Sequence, residues 1–260
     1  MVAPKAVVTG GAGGLGQAFT RQLAAAGYEV VPVDVQGDVR RLDVTDPAAC
    51  RALAIEVRPA IWVNNAGVTG AAGVVEADDA TVRRVVDVNL MGVINGTRAA
   101  AATMAQDRAL GGHGDPPRGV VLNVASLAGW APTPHIAVYS ATKHGVRAFS
   151  VAADAELRPG PPRVKCLLPD GIRTPMVDAR DPRHVMSFTG KRLLEPSEVA
   201  EAGMRLLGSG DLLASVPRSR GATVRLLGLW PGLSVRLLPV IERRARRHRE
   251  AQARQEARRS

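Results

Sequence analysis

The chain has 260 residues, is 46% apolar and only 3% aromatic, and carries a formal net charge of +10. That length accommodates one large α/β domain or a domain and a half, and the apolar content supports a core without disulfides or metals. Two isolated cysteines, Cys50 and Cys166, exclude a disulfide scaffold and a zinc cluster and read as reduced, buried residues.

The chain opens MVAPKAVVTGG, with no basic region leading into an apolar run. A secretory signal is not expected, and no uncharged apolar stretch reaches the roughly 18 residues a spanning helix needs. A cytoplasmic setting is the default. Residues 5–9 (KAVVT) form a short apolar run that ends in a Gly-rich turn. Residues 15–26 have helical composition and stop at Gly27, a natural C-cap. Residues 29–33 (EVVPV) read as the second strand, although Pro32 makes the assignment less clean. Strand-like residues 39–44 follow too soon for a parallel crossover with a full helix, so this sheet edge is expected to be thin.

Helical patterns then cover 47–57, 78–88, 90–109, 139–157 and 196–207. Strands are expected at 61–64, 119–124 and 163–168. Residues 110–118 read as a Gly/Pro loop, and 170–194 lack a regular pattern. Strand–helix alternation with continuous apolar strands predicts a doubly wound parallel sheet, an α/β Rossmann-type three-layer fold. The expected division is a dinucleotide-binding catalytic domain over 1–217 and a basic amphipathic extension over 218–260.

The turn Thr9-Gly10-Gly11-Ala12-Gly13-Gly14-Leu15-Gly16 lies between a strand and a helix. Glycines there let the backbone approach a pyrophosphate at the positive helix N-terminus. Asp34 ends the second strand, where a carboxylate accepts hydrogen bonds from ribose hydroxyls and repels a 2′-phosphate. With no Arg or Lys in the loop or directly after Asp34, NAD is favoured over NADP. Arg40 and Arg41 are the counterweight. Tyr139-Ser140-Ala141-Thr142-Lys143 sets a phenol and an ammonium on one helix face. A lysine beside a phenol should lower its pKa, making Tyr139 a usable acid/base.

These motifs, in this order, resemble the short-chain dehydrogenase/reductase family from about Lys5 to Gly208. Gly10, Gly14, Leu15 and Gly16 resemble its cofactor turn. Asp43 and Val44 resemble its adenine contacts, and Asn64-Asn65-Ala66-Gly67 resembles the segment after its fourth strand. Asn89, Ser126, Tyr139 and Lys143 resemble its catalytic set. The resemblance implies an oxidoreductase that interconverts a secondary alcohol and a ketone as a homodimer or homotetramer. Ser126 would hydrogen-bond the substrate oxygen, and Tyr139 would move the proton. Lys143 would hold the nicotinamide ribose, and Asn89 would fix a relay water. Thr174 fits the carboxamide-binding threonine, whereas Asp170 stands where the family has glycine. A contrasting expectation is a dinucleotide-sensing binding protein without turnover.

The histidines His113, His135, His144, His184 and His248 show no metal-ligand spacing. His135 lies between Ser126 and Tyr139, where substrate could pass. Trp130, Met176, Val177, Met186 and Phe188 suggest a lipophilic substrate, or a lid that packs on itself. The charge is local: residues 218–260 hold twelve arginines and three glutamates, and the remainder is nearly neutral. Residues 222–241 are apolar with sparse arginine, and 242–259 are basic and helix-prone. That order fits a peripheral membrane contact, a subunit contact or a solvated tail. Nucleic acid is set aside for lack of a recognition module.

Overall fold

Seven short strands pair in one all-parallel sheet: β1 (Lys5–Thr9), β2 (Glu29–Asp34), β3 (Arg40–Arg41), β4 (Ile61–Asn64), β5 (Val120–Val124), β6 (Arg163–Pro169) and β7 (Leu213–Val216). Their order is β3-β2-β1-β4-β5-β6-β7, which reverses direction at β1. The computed structural model describes residues 2–70, 73–109, 119–131, 133–159, 162–177, 186–187, 189–190 and 192–257. The loop at 110–118 with His113, and also His184 and Phe188, lie outside the described residues.

The strands carry apolar side chains on both faces because helices cover both. Ala6, Val8, Ile61, Val63, Leu122 and Leu167 enter one core, with α1 (Gly14–Ala25) and α6 (Pro196–Gly208). Val7, Trp62, Val121 and Val164 enter the other, with α2 (Pro47–Val57), α4 (Gly92–Ala109) and α5 (Ala137–Leu157). This alternation is the two-residue period of a strand read between two helical layers. As expected, no helix separates β2 from β3, and β3 is a two-residue exposed edge. Pro32 is tolerated because β3 pairs with β2 only at Val33 and Asp34.

Two features depart from the sequence reading. Helices expected at 78–88 and 90–109 form one continuous run: α3 (Asp79–Val86), a π-turn (Asp87–Met91), then α4. The Gly92 N–H bonds the Asp87 carbonyl across the wider turn. Such π-turns sit at functional sites, and this one contains Asn89. The second departure is β7, four residues that the sequence reading passed over because so short a run shows no strand alternation.

Polar groups beneath the site are satisfied. Asn64 Nδ2 donates to Asn123 Oδ1 at 2.8 Å, and Asn123 Nδ2 donates to Ser150 Oγ at 3.0 Å. This buried chain links β4 and β5 to α5, so α5 has one seating on the sheet. Asp154, buried on α5, accepts from Arg163 Nε at 2.7 Å and from the Val164 N–H at 3.0 Å, which fixes α5 to β6. The Lys165 ammonium donates to the Leu206 and Leu207 carbonyls at the end of α6, a cation at a helix C-terminus.

The basic extension is two helices, α7 (Arg218–Gly228) and α8 (Pro231–Ala257). Pro231 opens α8 at a position that needs no N–H. Gly228 lies so close to the Trp130 carbonyl that a Cβ would stand 2.0 Å from its oxygen. α7 therefore lies directly on the loop after β5. Among the described residues no helix is long and apolar enough to cross a membrane.

Candidate active site

A cavity of about 980 Å³ opens along the carboxyl ends of the strands, at the point where the strand order reverses. In an open parallel sheet this is where a ligand binds. Its floor begins at the Gly-rich turn. Gly10 adopts a φ of +66°, and a Cβ there would collide with the Ala66 backbone. A Cβ at Gly16 would stand 2.1 Å from the Gly10 carbonyl oxygen. Only glycine allows this closeness. The N-terminus of α1 has no side-chain cap and no acidic residue in its first turn, so its N–H groups and dipole are open to an anion.

Thr9 holds the opposing segment. Its Oγ accepts from the Asn65 and Ala66 N–H groups, each at 3.0 Å. Asn65 Nδ2 donates back to the carbonyls of Thr9 and Gly10 at 3.0 and 3.1 Å. Gly10, Gly14, Leu15, Gly16, Asp34, Asp43, Val44, Asn65, Ala66, Gly67 and Thr174 all line the cavity. The Asp34 carboxylate accepts from the Ala12 and Gln36 N–H groups, each at 3.2 Å, and faces the cavity at the end of β2. Asp43 Oδ1 accepts from Thr45 N and Oγ at 2.9 and 2.8 Å, which shapes the next turn. Arg40 is bound to Glu56 through two 2.6 Å contacts, and Arg41 donates to the Val35 carbonyl at 3.0 Å. Neither guanidinium lines the cavity. Glycine clearance, an open helix N-terminus and a carboxylate at the second strand end suit a nicotinamide dinucleotide.

The second half of the site rests on α5. Tyr139 and Lys143 share one face of it, and the Lys143 ammonium stands 5.4 Å from the Tyr139 ring centre. Ser126 caps a short 3-10 turn, Leu127–Gly129, by accepting from the Ala128 N–H at 3.1 Å, and its hydroxyl also bonds Tyr139. Ser126, Tyr139 and Lys143 line the cavity together. Asn89 stands behind the wall, fully buried. Its amide pairs with Val68, accepting from its N–H and donating to its carbonyl, both at 2.8 Å. Its side chain therefore fixes the Gly67-Val68 segment directly.

One electrostatic expectation is corrected. The sequence argument has Lys143 lowering the Tyr139 pKa, but in the protein alone the phenol is pushed above its usual value by burial, opposed by its bond with Ser126. The ammonium is directed elsewhere, donating to the Val124 carbonyl at 3.0 Å. Burial pushes Lys143 itself down to about 8.

His135 turns away from the chemistry, its Nε2 3.5 Å from Glu242 on α8, and it does not line the cavity. Trp130 stacks under Arg147 and Arg225 outside the cavity, whereas Met176, Val177 and Met186 line it. The sequence reading missed the other side of this wall. Arg220, Val224 and Leu227 of α7 and Ser234, Leu238 and Ile241 of α8 close the cavity. The available signal was Asp170, which breaks the expected Pro-Gly pair. Its Oδ2 lies 3.2 Å from Arg220 Nε, and its Oδ1 accepts from the Gly171 N–H at 3.0 Å. Burial raises the Asp170 pKa, and Arg220 opposes that rise. Arg220→Ala should therefore lower thermal stability by roughly 1–3 kcal/mol, because it strands a largely buried carboxylate. Asp170→Gly in the same chain should recover part of the loss. Purely additive losses in thermal unfolding would rule out the coupling.

The short chain dehydrogenase family model matches residues 4–184. A 3-alpha-(or 20-beta)-hydroxysteroid dehydrogenase of Mycobacterium tuberculosis is 32% identical over 219 residues, covering 77% of this chain and 80% of that protein. The rat 15-hydroxyprostaglandin dehydrogenase [NAD(+)] is 27% identical, covering 88% and 96%. A short chain dehydrogenase/reductase from Burkholderia phymatum, solved in complex with NAD, superposes with a TM-score of 0.74 at 24% identity, covering 86% and 92%. Another from Burkholderia cenocepacia, solved with NADP, gives 0.68 at 25% identity, covering 82% and 87%. The strand order, the glycine turn, the Ser126–Tyr139–Lys143 grouping and these relatives agree: the chain belongs to the short-chain dehydrogenase/reductase family.

Proposed function

We propose that this protein is an NAD-dependent oxidoreductase that interconverts a lipophilic secondary alcohol and its ketone. The observation that carries the reading is the placement of Ser126, Tyr139 and Lys143 in the same cavity wall, beside the glycine turn that admits a dinucleotide. When bound, the nicotinamide supplies or accepts the hydride. Ser126 donates a hydrogen bond to the substrate oxygen and stabilises charge developing there. Tyr139 transfers the proton between its hydroxyl and that oxygen. Lys143 presents a donor to the nicotinamide ribose and keeps positive charge near the phenol. Asn89 holds Gly67-Val68 in place through both polar atoms of its side chain.

The lipophilic character rests on Ile136, Met176, Val177, Leu227, Leu238 and Ile241, which line the substrate end. NAD is preferred because Asp34 would accept from the ribose hydroxyls and repel a 2′-phosphate, while Arg40 is engaged with Glu56. Initial rates with the two reduced cofactors on one ketone test this. NADH should be used better, and Asp34→Ser should erode that preference by about tenfold or more. A wild-type preference for NADPH would refute it. The enzyme is proposed to work as a homodimer or homotetramer, as the family resemblance implies.

A further inference from the structure

The outer surface of the two C-terminal helices is unlike the rest of the molecule. Fifteen large apolar residues are exposed among the described residues, and seven of them fall between positions 226 and 240. Leu226, Leu229, Trp230 and Leu233 surround the α7–α8 corner, each about half exposed or more, and Leu237 and Val240 continue along one flank of α8. The opposite face of α8 is committed to the body. Leu238 and Ile241 line the cavity, Ala245 meets Met186, and His248 Nδ1 contacts the Gly190 carbonyl at 2.8 Å. α8 is thus seated by one face and presents the other.

Past Val240 the outer face becomes basic. Arg243, Arg244 and Arg247 are exposed there, and Arg236 is exposed one turn earlier. The arginine ion pairs of α8 among the described residues use Arg246 and Arg254, with Glu242 and Glu250. A second copy of the chain is a poor occupant for this face. A self-contact would press together two surfaces that each carry twelve arginines against three glutamates over residues 218–260, so it gains no charge complementarity. An anionic bilayer complements both halves: Trp and Leu enter the headgroup boundary and arginines meet lipid phosphates.

We infer that the α7–α8 corner docks this protein on an anionic membrane surface, with the substrate cavity directly beneath the docked helices. Docking is measured without substrate or cofactor, so its failure and failure of the oxidoreductase reading are separable. The test is co-sedimentation of the full chain with phosphatidylcholine vesicles, with and without phosphatidylserine. Binding to the mixed vesicles is expected, weakening with salt. It should fall roughly tenfold or more in Trp230→Ser/Leu233→Ser, and likewise in Arg243→Glu/Arg244→Glu/Arg247→Glu. Both variants should keep the wild-type melting temperature, because these side chains are exposed. No binding to mixed vesicles, or equal binding by either variant, overturns the inference. So does a dimer in sedimentation analysis that Trp230→Ser/Leu233→Ser dissolves.

Discussion

Tyr139→Phe should reduce turnover by about 10² to 10⁴-fold while leaving NADH affinity within a few fold and the melting temperature near wild type. The expectation follows from the groups available. The described cavity residues with ionisable side chains are Asp34, Asp43, Tyr139, Lys143, Asp170 and Arg220. Asp34 and Asp43 sit where the proposed function puts the adenosine end. Asp170 is paired with Arg220, and Lys143 donates to the Val124 carbonyl. Only the phenol stands beside Ser126 with a proton to give or take. Phenylalanine keeps the ring in its place and removes that proton. Because burial raises the phenol pKa, alcohol oxidation should speed up as pH rises and ketone reduction should slow at high pH. Stopped-flow binding and steady-state rates on the same preparation separate lost chemistry from lost cofactor affinity.

Lys143→Met should also cost about a hundredfold or more in turnover, yet change stability in an unusual direction. Lys143 is buried, and its pKa falls from 10.5 to about 8. Between those values the unfolded chain holds a proton that the native protein has released. Native stability contributed by this group therefore rises as pH climbs from about 8 to about 10.5, and is lowest where the buried ammonium is charged. Comparing wild type with Lys143→Met cancels the other titrating groups. Wild type should gain about 3 kcal/mol relative to the variant between pH 7 and pH 10.5. Denaturant unfolding across that range measures it. A constant difference would mean that the lysine carries no burial penalty.

Much of the site was legible because each of its chemical parts is local in sequence. A glycine turn between a strand and a helix, an aspartate at the second strand end, and a tyrosine four residues before a lysine are short-range patterns. The sheet was legible because strands buried on both faces are apolar throughout. Three things were not local. The tyrosine's electrostatics depend on where the ammonium is directed, and it is directed to Val124 rather than to the phenol. The π-turn holding Asn89 breaks no residue pattern, since its backbone stays helical through Val86, Asp87 and Gly92. The far wall of the cavity comes from residues some 50 to 70 positions after Asp170, and the sole trace of it in sequence was an aspartate in a glycine position. A lone substitution of that kind marks a missing partner without saying where the partner lies.

The proposed chemistry turns on cofactor-coupled interconversion of a secondary alcohol and a ketone at Tyr139. The most direct test follows the near-ultraviolet absorbance of the reduced nicotinamide with wild type and Tyr139→Phe, across a panel of lipophilic ketones and alcohols with both cofactors. Wild type should consume NADH on at least one lipophilic ketone, and the variant should lose about a hundredfold or more of that rate. No turnover of any panel member by wild type, alongside measurable NADH binding, would contradict it and identify a dinucleotide-sensing binding protein instead.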